Sequence, residues 1–209
     1  YTLSLHDALP IFDPTFAKVL VRFNPEGDRA LNLRQLGRLK QLSDYCRRSQ
    51  RKFMFELLVP ASHDQLAHSG GDNDTFDRQA RPLLIHQTLH ALQDAGIDPD
   101  VWKVEGLDLH ADGERVVQIA RRGGREQVGC IVPGRGADEA KVRGWLTVAA
   151  GMAGFIGFPV GRTSFRDAVS GYRAQTLTRA GAAMQIAGRL REWVDVFEAG
   201  RLSRATGTA

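Results

Sequence analysis

The sequence is short of cysteine, lysine, aromatic residues and long apolar runs, and each shortage excludes something. Two cysteines, Cys46 and Cys130, with no CxxC spacing, cannot build a disulfide framework. They fall in segments that read as a helix and a buried strand, so both read as buried free thiols with no redox role. No stretch approaches the roughly 20 apolar residues of a membrane-spanning helix. The first twenty residues also lack the basic head and small-residue cleavage site of a secretory signal, so the expected location is the cytoplasm, with no membrane partner. At 43% hydrophobic, 25% charged and 8% aromatic over 209 residues, the chain reads as one soluble globular domain with a sizeable core, neither disordered nor fibrous.

An initiator methionine is missing as well. Segment 1–11, YTLSLHDALPI, resembles a translated sequencing-adapter scar and is set aside as non-native, which places the start of the native sequence near Phe12. Residues 12–200 then form the domain, and 201–209 read as a disordered tail. The formal charge of +4 does not point to nucleic acid, because the basic residues are scattered as singles and pairs such as Arg47-Arg48 and Arg121-Arg122 among acids. Among 28 cationic residues only five are lysine (18, 40, 52, 103 and 141) and 23 are arginine. A lysine inside an apolar strand of this chain therefore needs a reason.

Five short apolar runs rich in β-branched and aromatic residues read as strands: Ala17–Phe23, Phe53–Val59, Val101–Glu105, Val128–Val132 and Phe155–Val160. Helical segments lie between them. Leu31–Arg48 sets Leu33, Leu36, Leu39 and Leu42 at three-residue steps, and Thr75–Ala95 carries Leu83, Leu84, Leu89 and Leu92 before the stop signal Gly96. Shorter helices are expected at Gly113–Arg122 and Ala137–Ala149, and one or two more over Phe165–Glu198. Alternating strands and helices demand a parallel sheet. That leaves an open doubly wound sheet or part of a (β/α)8 barrel, and charges inside the strands favour the barrel, whose strands aim ions at a site near their C-terminal ends.

Side chains alternate along a strand, so Lys18, Leu20 and Arg22 share one face, Met54, Glu56 and Leu58 another, and Val101, Lys103 and Glu105 a third. Hydrophobes (Val19, Val21, Phe23; Phe53, Phe55, Leu57; Trp102, Val104) point the other way. Three successive strands thus point ions to one shared polar site; the bland alternative is an ion-pair network inside a barrel. Desolvation and cationic neighbours ease the loss of a proton from a lysine amine, and a neutral amine attacks a carbonyl to form a Schiff base. The iminium then serves as an electron sink for C–C cleavage, provided a carboxylate moves the protons. Lys103 is the candidate nucleophile, Glu56 the candidate acid/base, and Lys18 the cation that tunes both.

The last two strand ends read as anion sites. Pro133-Gly134-Arg135-Gly136 and Gly157-Phe158-Pro159-Val160-Gly161-Arg162 each precede a helix, with glycines exposing backbone N–H groups and arginine supplying a fork for phosphate. Gly134-x-Gly136 is not a dinucleotide fingerprint, since position 139 is Glu. A metal reading rests on His86 and His90, four apart on one helix, with His63 and His68 in the preceding loop, but there is no HExxH. His110 has no evident partner. No metal and no cofactor are expected.

AKVLVRF, FMFELLVP, DVWKVEGLD, VGCIVPGRGAD and GFIGFPVGRTSF, in this order, resemble the aldolase-like domain found C-terminal to 5-dehydro-2-deoxygluconokinase in bacterial myo-inositol catabolism proteins. The likeness covers nearly all of 12–199. More remotely the chain resembles class I tagatose- and fructose-bisphosphate aldolases. The resemblance implies a (β/α)8 barrel whose fourth to eighth strands are present here. It implies that Lys103 forms the Schiff base, that Glu56 is the acid/base, and that Lys18 is the active-site lysine of the fourth strand. Arg162 then binds phosphate, with Gly134 and Gly161 in the phosphate loops; Pro133 stands where a serine is usual. Glu105 is a further site member, and Arg135 joins the phosphate-binding set.

The first three strands of such a barrel have no counterpart in this chain. A partial barrel exposes edge strands and an apolar lumen, so the isolated polypeptide is expected to be poorly soluble or oligomeric and weakly active. The implied activity is that of a Schiff-base aldolase cleaving 2-deoxy-5-keto-D-gluconate 6-phosphate, with a carbohydrate kinase fused upstream as a possible partner domain. Two alternatives stay open: a non-catalytic sugar-phosphate-binding domain of a kinase, and metal-dependent cleavage through His86 and His90.

Overall fold

A computed structural model of the chain describes residues 13–205; the adapter-like segment 1–11 lies outside them. Among the described residues are five strands and eight helices. They follow as β1 (Phe16–Arg22), α1 (Arg29–Arg48), β2 (Lys52–Leu58), α2 (His63–His68), α3 (Asn73–Gln79), α4 (Arg81–Asp94), β3 (Val101–Lys103), α5 (His110–Ala120), β4 (Gly129–Ile131), α6 (Glu139–Ala150), β5 (Phe155–Gly157), α7 (Arg162–Arg173) and α8 (Arg179–Ala205). The strand order is β1-β2-β3-β4-β5, which lacks the reversal that defines the switch point of a doubly wound sheet. The fold is therefore α/β with a five-stranded parallel sheet. Two compact units make up the stretch read from sequence as one domain: residues 13–104 with 118–129, and residues 105–117 with 130–205.

In the first unit β1 pairs with β2, and β2 with β3, both in parallel. Asp100 pins the start of β3 to β2: its backbone N–H donates to Phe53 O (2.9 Å), and Phe53 N–H donates to its carboxylate (2.8 Å). One side of these strands is the core. Ala17, Val21, Phe23, Phe53, Phe55, Leu57, Trp102 and Val104 are all buried, with the Phe55 and Trp102 rings 5.0 Å apart between centroids. The other side, carrying Lys18, Leu20 and Arg22, is exposed along β1. Period-two alternation put the same residues on the same faces.

The helices depart from expectation in three places. On α1 the buried residues are Leu39, Ser43 and Cys46, while Leu33 is 60% exposed. Three-residue steps drift about 60° per step around a 3.6-residue helix, so four leucines so spaced cannot share one face. The segment read as one helix from Thr75 to Ala95 breaks at Ala80 into α3 and α4, because Pro82 lacks an N–H and is tolerated only in a first turn. The loop holding His63 and His68 forms α2, closed by a capping box in which Ser62 and Gln65 satisfy each other's backbone N–H groups. Gly96, at φ 76°, ends α4 as expected.

In the second unit β4 pairs with β5 in parallel. The three short strands β3, β4 and β5 each hold three residues, fewer than the five or six that the sequence runs suggested. Asp138 caps α6 by accepting from Lys141 N–H (2.8 Å). The tail expected from position 201 is instead helical through Ala205, where α8 continues with the Arg201–Glu198 pair (3.2 Å) and a Ser203 hydroxyl bonded to Ala199 O. Arg, Leu and Ala are strong helix formers, which accounts for the extension. Positions 206–209 lie outside the described residues.

Cys46 and Cys130 are free and each 1% exposed. Burial, reinforced by the Asp100 carboxylate, pushes the Cys46 thiol above its ordinary pKa, which keeps it in its unreactive form. Among the described residues no helix is long and apolar enough to cross a membrane. Phe55→Ala is expected to cost about 3–5 kcal/mol, because Phe55 is fully buried against Trp102. Leu33→Ser, on the exposed side of α1, should shift stability by less than about 0.5 kcal/mol. Urea unfolding midpoints with unchanged slope would check both.

Candidate active site

Parallel, in-register pairing carries a side chain's neighbours straight across the sheet. Leu20, Glu56 and Lys103 are register partners on β1, β2 and β3, so all three lie on one face; Lys18, Met54 and Val101 form the row before them. This is the shared polar face expected from alternation. Glu56 sits between two lysines: Lys103 Nζ lies 2.6 Å from its Oε1, and Lys18 Nζ lies 2.5 Å from its Oε2. The Glu56 and Lys103 side chains are 10% and 14% exposed and that of Lys18 is 45%, so the Glu56–Lys103 contact is largely withdrawn from water and Lys18 closes it from the solvent side.

Burial by itself drives the Glu56 carboxyl toward its neutral form. Hydrogen bonds and charges from Lys103 and then Lys18 outweigh that and hold it below the usual carboxylate range. Each carboxylate oxygen thus has its own ammonium partner. The cluster links a primary amine and a proton acceptor in direct contact, the minimum equipment for imine chemistry at a carbonyl.

The remaining candidates lie in the second unit. Glu105, two residues beyond Lys103, is 2% exposed at its side chain and pairs with Arg135 Nη1 at 2.9 Å. Arg135 is thus engaged with a buried carboxylate, a pairing that its place in a glycine-rich loop did not announce. It adopts a left-handed φ of 50°, followed by Gly136 at 77°, and Ala137 N–H closes the turn onto Gly134 O (2.9 Å). The Arg162 guanidinium lies against Gly136, where a Cβ would come within 2.9 Å of its Cζ, and donates to Arg135 O (3.0 Å). Thr163 Oγ1 donates to Ala137 O (3.0 Å), so the loop after β4 is tied to the start of α7. Gly161 precedes α7 as its N-cap residue, and Gly134 is buried.

Three of the described histidines have separate partners. His90 Nδ1 accepts from Arg122 Nη1 (3.0 Å), which also pairs with Asp94; His68 bonds the Asp64 carbonyl; and His110 in the second unit lies 3.6 Å from Glu114. Among the described residues no three His, Cys, Asp or Glu side chains group as metal ligands.

Two positioning residues had escaped the sequence reading. Asn24, just past β1, donates to Pro60 O (2.8 Å) and Gln65 Oε1 (2.7 Å) and accepts from Glu26 N–H (3.0 Å), tying the loop after β1 to the loop after β2. Only the capping pair Ser62-x-x-Gln65 signalled that region. In the second unit Asp108 accepts from the Trp145 indole N–H (2.8 Å), and Gly106 leaves room for that ring, which a Cβ would meet at 2.0 Å. Both residues stand in the DVWKVEGLD segment.

The lowered Glu56 pKa stabilises the fold with a definite sign. The contribution is complete above the ordinary carboxyl value of 4.5 and is lost as the pH falls through the still lower value in the folded protein. Glu56→Gln should therefore flatten the acid limb of stability below about pH 4.5. It should also lower stability near neutrality, since Lys103 loses a buried partner. Urea midpoints measured from about pH 7 down to about pH 3 would register both changes.

No curated protein matches this chain. Residues 13–201 match a family model described as "Uncharacterized protein conserved in bacteria (DUF2090)", and the chain belongs to that family.

Proposed function

We propose that this protein is a class I aldolase, a lyase that cleaves a phosphorylated keto sugar through a Schiff base on Lys103. The observation that carries the reading is the Lys18–Glu56–Lys103 cluster on one sheet face, with Glu56 bonded to both amines at 2.5 and 2.6 Å. The parallel sheet with strands in chain order is read as five βα units of a (β/α)8 barrel. The resemblance to the aldolase-like domain of bacterial myo-inositol catabolism supplies the substrate: 2-deoxy-5-keto-D-gluconate 6-phosphate, giving dihydroxyacetone phosphate and a three-carbon semialdehyde. It also assigns phosphate binding to Gly134, Gly161 and Arg162, with Arg135 beside them and Glu105 as a further member.

The chemistry runs through Glu56. Lys103 gives its proton to Glu56 Oε1 and attacks the carbonyl as a neutral amine. In the resulting carbinolamine the lysine nitrogen carries no charge, so Glu56 keeps only Lys18 as a cationic neighbour and burial favours its protonated form. Glu56 then returns the proton to the departing hydroxyl, which leaves as water. The iminium draws in the electrons of the breaking C–C bond while Glu56 accepts the proton of the β-hydroxyl, and an aldehyde departs. Protonation of the enamine carbon by Glu56 and hydrolysis release the second product and restore Lys103.

Incubation with dihydroxyacetone phosphate, borohydride reduction and peptide mapping by mass spectrometry test the reading. A reduced adduct on Lys103, absent in Lys103→Ala, is the expected result. Glu56→Gln should slow turnover by ~10²-fold or more; a change under about threefold would return Glu56 to a structural role. Ligand binding by folded protein with no trapped lysine would replace the aldolase with a sugar-phosphate-binding domain.

A further inference from the structure

The face that carries Glu56 is over-supplied with positive charge. Arg22, the last residue of β1, pairs in register with Leu58, one row beyond the Leu20–Glu56–Lys103 row and on the same face. It is exposed, and among the described residues no carboxylate pairs with it. Lys18, Arg22 and Lys103 thus set three cations against Glu56, the one carboxylate that β1, β2 and β3 carry on this face, since Glu105 lies beyond the end of β3 and pairs with Arg135. A surplus of this kind on one wall of a site draws anions and favours those that complete the charge balance.

The spacing narrows the ligand. Two residues along a strand advance about 7 Å, and two strand spacings across a sheet cover about 10 Å, so the Arg22 and Lys103 backbones lie about 12 Å apart on the diagonal. Both side chains are long, so that backbone separation fits a short carbon chain between a carbonyl on Lys103 and an anion on Arg22. On β2 the half-buried Leu58 and then Glu56 lie between them, and Leu20, which is 43% exposed, flanks the diagonal on β1, so apolar surface for methylene groups adjoins the carboxylate. Arg22 offers a planar fork, which matches a carboxylate in a bidentate pair. No glycine-rich run of the kind that exposes backbone N–H groups to phosphate follows it, since the next residues are Phe23, Asn24 and Pro25.

We infer that Arg22 binds a carboxylate on the substrate, making the Lys103 site selective for keto acids over neutral ketones. The inference rests on the Schiff-base reading of Lys103 and specifies its substrate class as carbonyl compounds that carry a carboxylate a few carbons away.

Borohydride trapping with matched probes tests it on the full chain. 4-Oxopentanoate and 5-oxohexanoate are compared with 2-pentanone and 2-hexanone, and the Lys103 adduct is quantified by mass spectrometry in the unaltered protein, Arg22→Gln and Arg22→Lys. The keto acids should label Lys103 at concentrations about tenfold lower than the ketones, the scale of one charge-assisted hydrogen-bonded pair. Arg22→Gln should erase that preference while ketone labelling stays unchanged, and Arg22→Lys should keep part of it. Equal labelling by keto acids and ketones, or a preference that survives Arg22→Gln, overturns the role of Arg22 and leaves the Schiff base standing. A fall in dihydroxyacetone phosphate trapping in Arg22→Gln would show that Arg22 holds phosphate, which also overturns the inference. No Lys103 adduct with any probe, in protein whose circular dichroism shows it folded, overturns both readings.

Discussion

Glu56 can be ionised at its depth only because two ammonium groups share it. Stripping water from a carboxylate is costly, and a single partner seldom repays it, whereas one donor on each oxygen satisfies both and leaves the charge in place. That arrangement constrains everything around it. Lys103 must stand directly across from Glu56, which the β2–β3 register ensures, and Lys18 must stand one row back on β1, close enough to reach diagonally to the other oxygen. A slip of one residue in either pairing would turn an ion into the core and a large hydrophobe out of it. The reciprocal bonds between Asp100 and Phe53 fix that register at the start of the strands, each three residues before the site residue on its own strand.

The strand faces were legible because a parallel sheet with one polar side leaves the plainest possible signature: a lysine, a glutamate and a lysine, one in each of three successive apolar runs, in a chain that otherwise prefers arginine. Period two needs no knowledge of partners, and in-register pairing then brings the marked residues together. The helices were less legible where packing overrides local pattern. Four leucines at three-residue steps advertise a face on α1 that a 3.6-residue helix cannot hold, and the side actually buried includes Ser43 and Cys46, which carry little weight in a hydrophobic count. The break at Ala80 was signalled by Pro82 but masked by the leucine periodicity that follows it. Arg135 was the opposite case: its glycine neighbours announced an exposed anion-binding fork, and nothing local revealed that a buried Glu105 two residues past the nucleophile candidate would claim it.

The two sides of β1–β3 also divide the labour that the proposed imine chemistry requires. Phe55 and Trp102, both fully buried, hold the backbones of β2 and β3 from behind, so Glu56 and Lys103 project from strands with little freedom to shift. Proton transfer over 2.6 Å depends on that rigidity, because a displacement of a fraction of an ångström changes whether a hydrogen bond spans the gap. Lys18 projects from β1 with its side chain nearly half in water, so of the two contacts to Glu56 its own is the one that solvent screens. In the proposed chemistry Lys18 is, among the described residues, the one cation bonded to Glu56 once Lys103 is neutral, and solvent screening of that contact would make Glu56 a better proton acceptor at that moment. In the proposed chemistry the rigid pair would set the geometry of proton transfer, and the solvent-facing lysine would set how strongly the carboxylate holds the proton.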